Sequence, residues 1–130
     1  MILFDSSVWI DALQGKKSSQ VKLLSDSIIQ NEMVAVCPLI VQEVLQGIRD
    51  NIRFIAVKNN FRSFIRLKIP SYSVALETAK LYRSLRRKGI TVTSSDCVIS
   101  VFAIHFEVPV AHNDKDFDII AKHSPLKIIK

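Results

Sequence analysis

The chain has 130 residues, 48% of them hydrophobic and 23% charged, with 18 Lys and Arg against 12 Asp and Glu for a net charge of +6. That is the size of one domain, spanning residues 1–130, and it excludes both two full domains and a disordered chain. The longest apolar stretch, Cys97 to Phe106, is interrupted by Ser100 and His105 and falls short of the roughly 20 residues a membrane span needs, so no membrane role is expected. Met1 to Phe4 run into Asp5 without a basic region or a cleavage site, and the only cysteines are Cys37 and Cys97. Reduced, buried thiols in a cytoplasmic protein are the expectation. The basic excess favours a polyanionic partner such as nucleic acid.

In chain order, Ile2-Leu3-Phe4 reads as a short apolar strand ending at Asp5, followed by a helix that Ser6 or Ser7 caps and Gly15 closes. A helix is expected over 19–30, a buried strand over 34–37, and, after Pro38, a helix over 39–48. On that helix Ile40, Val41, Val44, Leu45 and Ile48 share one face, which leaves Glu43 roughly 130° from its centre at 100° per residue. A basic, helical stretch over 51–66, a strand over 67–69 ended by Pro70, and a helix over 73–88 with Gly89 as its stop come next. Thr93, Ser94 and Ser95 offer capping hydroxyls for a helix from about Ser95 to Phe106. A strand over 108–111, a helix through Phe117, Ile120 and Ala121 capped by Asn113 or Asp114, and a last strand over 126–129 complete the chain. Strands alternating with helices predict an α/β fold, a mostly parallel central sheet of about four to five strands with helices on both faces and sites at the carboxyl ends of the strands.

The acids follow that rule. Asp5 ends the first strand, Glu43 lies on the helix after the second, and Asp114 and Asp116 follow the fourth. Asp96 sits on a helix apolar nearly all round, where only Ser100 and Ala103 share its stripe. A helix N-terminus stabilises a carboxylate by about 0.3–1 kcal/mol, too little to offset burial, so a cation or hydrogen-bond donors must complete the site. Converging carboxylates raise one another's pKa, and a divalent metal relieves the repulsion. All-oxygen ligation selects Mg²⁺, with Mn²⁺ as a substitute, over Zn²⁺. An acidic metal pocket in a basic protein suits phosphodiester hydrolysis, the cations holding the flanking phosphates. Lys80, Arg83, Arg86, Arg87 and Lys88 form one candidate RNA-binding patch, and Arg49, Arg53, Lys58, Arg62, Arg66 and Lys68 a second. Trp9, Tyr72 and Tyr82 read as core aromatics first and base-stacking groups second. His112 reads as structural, Asp118 as a complement to the helix dipole, and Asp11 as surface.

Four blocks resemble the PIN-domain family. Ile2-Leu3-Phe4-Asp5-Ser6-Ser7 is similar to its opening strand and Asp-Thr/Ser-Ser turn. Glu43 through Gly47 is similar to the second block, Thr93-Ser94-Ser95-Asp96 to the third, and His112-Asn113-Asp114-Lys115-Asp116-Phe117 to the fourth. Ser6 stands where Thr is more usual, and Ser100 and Val101 stand where smaller residues are usual. The resemblance is closest to VapC-type toxins of toxin–antitoxin pairs. It implies a Mg²⁺-dependent ribonuclease that leaves 5′-phosphate and 3′-hydroxyl ends, a homodimer, and inhibition by a VapB-type antitoxin. It implies a catalytic set of Asp5, Glu43, Asp96 and Asp114, metal ligands Asp5, Asp96, Asp114 and Asp116, and Ser7 in support. The rival readings are a catalytically silent RNA-binding module, whose binding EDTA would not change, and a metal-dependent DNA nuclease of the same fold. A receiver-type domain wants an acidic pair after the first strand, which Asp5-Ser6-Ser7 lacks.

Overall fold

The computed structural model describes residues 1–129. Its centre is a four-stranded, all-parallel sheet of β1 (Ile2–Phe4), β2 (Val34–Val36), β3 (Ile65–Arg66) and β4 (Val110–Ala111), in the order β3-β2-β1-β4. The registers Leu3↔Ala35 and Leu3↔Val110 put the hydrophobic strand β1 in the middle. Leu3, Phe4, Ala35, Val36, Val110 and Ala111 are wholly buried, as expected of a parallel sheet covered on both faces.

Among the described residues, seven helices flank it: α1 (Ser6–Leu13), α2 (Ser19–Ile29), α3 (Pro38–Gln46), α4 (Asn51–Asn60), α5 (Ser71–Arg87), α6 (Ser94–Phe106) and α7 (Asp116–Lys122). Helix α6 is the buried one, with Asp96, Cys97, Ile99, Ser100, Val101, Phe102 and Ala103 all in the interior. It packs against α3, α5 and α7. Helix α5 has only Leu85 buried and carries its charges outward. None of these helices is long and apolar enough to cross a membrane. Both cysteines are free and buried, and burial pushes their thiols up to about 11.

Several boundaries differ from the sequence-based expectation. The helix expected over 51–66 stops at Asn60, because Phe61 turns inward. There Phe61 stacks edge-on against Trp9 at 5.1 Å and packs with Phe64, and this aromatic cluster ends the helix in a short 3₁₀ turn over Phe61–Ser63. The third strand accordingly lies at Ile65–Arg66 rather than 67–69, and Leu67 closes it with an N–H to Val36 O hydrogen bond of 2.8 Å. The last strand, expected over 126–129, is reduced to one parallel bridge between Val110 and Ile128. The bridge consists of Val110 N–H donating to Lys127 O and Ile129 N–H donating to Val110 O, both at 2.9 Å.

The caps shift as well. Asp5, not Ser6 or Ser7, caps α1, and although Lys115 precedes the first residue of α7, the side chain that accepts that residue's N–H is Asp114, one of the two expected. Trp9 is in the core as expected, Tyr82 is half-buried, and Tyr72 is 75% exposed and not a core residue.

Candidate metal centre

The site is built at the carboxyl ends of β1 and β4. The Asp5 N–H donates to Ala111 O at 2.9 Å, extending the β1–β4 ladder by one rung and fixing the backbone of Asp5. Asp5 is 2% exposed, and its carboxylate accepts from Ser7 N at 3.0 Å. Ser7 Oγ in turn accepts from Asn113 N at 3.0 Å, so Ser7 ties the end of β1 to the turn after β4.

Asp96 arrives from the first turn of α6, where Thr93 Oγ1 accepts the Asp96 N–H at 3.1 Å. One turn later Ser100 Oγ donates to Asp96 O at 2.7 Å. Asp114 and Asp116 arrive from the turn between β4 and α7, with Asp114 Oδ1 accepting Asp116 N at 3.0 Å. Asp96, Asp114 and Asp116 each present an oxygen to a common space, all within 4.8 Å of one another. Asp5 borders this trio closely enough that the Asp114 charge disfavours ionisation of Asp5 and the Asp5 charge disfavours that of Asp96. Glu43, half-buried on α3, lies close enough to Asp5 to feel its charge, and Ser6 Oγ donates to Glu43 Oε1 at 3.0 Å.

The electrostatics follow from burial without a counter-charge. Burial raises the Asp96 carboxyl to about 8, reinforced by the neighbouring Asp114, Asp5 and Asp116. Burial also raises Asp5, against hydrogen bonds from Ser7 and Ser6. It raises Glu43, against the Ser6 hydroxyl and with help from the Asp5 charge. Among the described residues, the ion pairs involve Asp11, Asp26, Glu77 and Asp118 instead, so no Lys or Arg neutralises these five acids.

Asp5 Oδ1 and Asp96 Oδ2 are buried with no hydrogen-bond partner. Two orphaned carboxylate oxygens beside two further carboxylates are an oxygen-only donor set that fits a hard divalent cation. The thiols of Cys37 and Cys97, held as neutral S–H by burial, offer no competing soft ligand.

Ser6 is a member of the site that sequence reasoning missed. The signal was present, since a hydroxyl next to Asp5 at a strand end can reach the helix that follows the neighbouring strand. Asp118 is not merely a dipole complement: its carboxylate lies 3.1 Å from His112 Nε2. Asp11 is half-buried and accepts from Asn113 Nδ2 at 3.0 Å, against its expectation as a surface residue.

The basic patches divide. On α5, Lys80 pairs with Glu77 and Arg86 bonds the Tyr82 hydroxyl, whereas Arg83 shares a groove with Ser94 and Val98 at the start of α6, two residues from Asp96. In the second patch, Arg53 donates to Leu13 O and lines a cavity with Arg49 beside Gly47.

The family model described as PIN domain matches residues 2–123. The chain belongs to the PIN-domain family. Among curated relatives, VapC ribonuclease Mb1587 of Mycobacterium bovis is 30% identical over 132 residues, covering 98% of this chain and 96% of that protein. Ribonuclease VapC11 of Mycobacterium tuberculosis is similar to the same extent, with 30% identity and the same coverage. Among solved structures, VapBC-1 from nontypeable Haemophilus influenzae superposes with a TM-score of 0.76 at 14% identity, covering 100% of this chain and 98% of that one. VapBC2 from Rickettsia felis, bound to a promoter DNA fragment, gives 0.75 at 15% identity, covering 99% and 98%. FitAcB from Neisseria gonorrhoeae gives 0.71 at 18% identity, covering 100% and 97%. At these identities the structures establish a shared PIN fold.

Proposed function

We propose that this chain, as one nuclease domain over residues 1–130, is a Mg²⁺-dependent endoribonuclease and the toxin of a VapBC-type pair. The observation that carries this reading is the convergence of Asp96, Asp114 and Asp116 within 4.8 Å, with no Lys or Arg paired to them among the described residues, in a PIN-family chain of net charge +6. The curated relatives named as VapC ribonucleases support RNA as the substrate. The VapBC neighbours support a VapB-type antitoxin as the partner, and a homodimer follows from the family resemblance.

Asp5 and Asp96 would hold the principal cation through their orphaned oxygens, with Asp114 and Asp116 completing the donor set. Mg²⁺, or Mn²⁺ in its place, would acidify a bound water and offset the negative charge that develops on the phosphate oxygens. Glu43 accepts the proton of the attacking water, and its raised pKa brings it nearer the working pH of a general base. The water oxygen would bond to phosphorus as the P–O3′ bond breaks, and the 3′ oxygen would take a proton from solvent, giving 5′-phosphate and 3′-hydroxyl ends. Ser6 aims Glu43. Ser7 binds the Asp5 carboxylate through its N–H and the Asn113 N–H through its hydroxyl, which holds Asp5 beside the turn that carries Asp114. Arg83 and the other cations of α5 would engage flanking phosphates.

The test is incubation of total RNA with the purified chain, with Mg²⁺ or with EDTA, beside Asp96→Asn. Discrete fragments from the parent with Mg²⁺ alone are the expected result. Cleavage of DNA and not RNA would reassign the substrate, and RNA binding indifferent to EDTA without cleavage would leave a binding module.

A further inference from the structure

We propose that His112 and Asp118 form a positioning pair that sets the turn carrying Asp114, and that cation affinity at the acidic centre depends on it. The inference rests on the metal-site reading above and concerns residues that reading does not use.

His112 Nδ1 accepts the backbone N–H of Asp114 at 3.2 Å. That N–H can only donate, so Nδ1 carries no proton and the ring N–H is on Nε2. Nε2 then donates to Asp118 Oδ1 at 3.1 Å. The ring is 9% exposed and packs on Phe117 with centroids 5.2 Å apart. One imidazole is thus fixed by a carboxylate on α7 and an aromatic face, and it presents an acceptor to the Asp114 backbone.

The next link is a hydrogen bond two residues on. Asp114 Oδ1 accepts Asp116 N, so the carboxylate of Asp114 is anchored at the start of α7 while its amide is anchored on His112. Asp118 is on the first turn of the same helix. Three hydrogen bonds therefore run from Asp118 through His112 and Asp114 to Asp116, and the backbone of α7 from Asp116 to Asp118 closes the circuit that holds the two acidic ligands. Three carboxylates held within 4.8 Å repel and favour splaying apart. The imidazole bond opposes that splay at the Asp114 end. Groups that orient a metal ligand without touching the ion typically contribute about 10–100-fold to affinity.

The measurement is Mn²⁺ affinity of the full chain by electron paramagnetic resonance, alongside thermal denaturation without metal. His112→Phe keeps the ring on Phe117 and deletes the acceptor. Its Mn²⁺ dissociation constant should rise about tenfold. His112→Asn places an amide oxygen near the Nδ1 position and should recover most of that loss. Asp118→Ala alters a half-exposed side chain outside the core, so it tests the pair even if His112→Phe folds poorly, and it should weaken binding several-fold. A second readout is the ¹⁵N signature of the parent's imidazole, which should show the proton on Nε2. Parent-like Mn²⁺ affinity in folded His112→Phe or in Asp118→Ala, or a ring protonated on Nδ1 alone, overturns the inference and leaves the metal site standing. A parent chain that binds no Mn²⁺ overturns the metal-site reading and this inference with it.

Discussion

Ser6 Oγ donates to Glu43 Oε1 at 3.0 Å, joining the first residue of α1 to the middle of α3 across 37 positions of sequence. The bond holds Glu43 against burial and the Asp5 charge, both of which raise its pKa. Removing the hydroxyl in Ser6→Ala lets that pKa rise further. The acid limb of the pH–rate profile should move to higher pH, and cleavage at neutral pH should fall about tenfold, a size typical of partial loss of general-base catalysis. Stability against thermal unfolding should fall by about 1 kcal/mol, the usual net worth of one hydrogen bond. A profile superimposable on the parent's would remove Ser6 from the machinery.

Asp96→Asn keeps the shape of the side chain and removes its charge. Mg²⁺-dependent cleavage should drop at least about 100-fold, in keeping with loss of a ligand group. The parent should gain about 2.7 kcal/mol of stability at Mg²⁺ a hundredfold above its dissociation constant, and the variant little. Differential scanning calorimetry with and without Mg²⁺ separates the two.

The metal-free chain should become less stable as pH rises from about 4 towards about 8. Asp96 holds its proton in the folded state up to about 8, far above its ordinary value of 3.8. Between those values the folded state binds the extra proton, so the stability it confers is complete at low pH and is lost as pH climbs through the folded value. Asp5 and Glu43, raised by the same burial, add in the same direction. Urea denaturation in EDTA across that range should show the decline, and Asp96→Asn should flatten it.

Trp9 anchors the aromatic cluster that ends α4. Its indole packs on Phe61 at 5.1 Å and Phe64 at 5.2 Å and donates to Phe4 O at 3.1 Å. Trp9→Ala should lose about 3–5 kcal/mol through the cavity it opens. Trp9→Phe should lose about 1–3 kcal/mol, chiefly by leaving the Phe4 carbonyl unpaired next to Asp5. Chemical denaturation measures both.

If α5 contacts RNA, the combined Arg83→Ala, Arg87→Ala and Lys88→Ala variant should reduce the slope of log affinity against log salt by about 2, near 0.7 per phosphate contact on a single strand. Binding is measured with Ca²⁺ or with Asp96→Asn to prevent cleavage. An unchanged slope would exclude α5 from the footprint.

The order of strands and helices was legible because short apolar runs and helical periodicity are local signals. Asp5, Glu43, Asp96 and Asp114 were legible because each follows a strand end or interrupts an apolar helix, as Asp96 does among Cys97, Ile99 and Phe102. The end of α4 was not legible. Residues 51–66 have a continuous helical pattern, and only the distant Trp9 draws Phe61 out of it.

Residue type and spacing along the chain suffice for the fold class, for the gathering of acids at the carboxyl edge and for the net positive charge of the chain. Which acids meet, and how they are held, follows only from folding. Asp96, Asp114 and Asp116 converge in one space while Glu43 is steered by Ser6 from another helix, and His112 spans Asp114 and Asp118. Those relationships depend on distances of a few ångströms between segments far apart in the chain. The backbone ladder from Asp5 to Ala111 that sets them exists only once the sheet has formed.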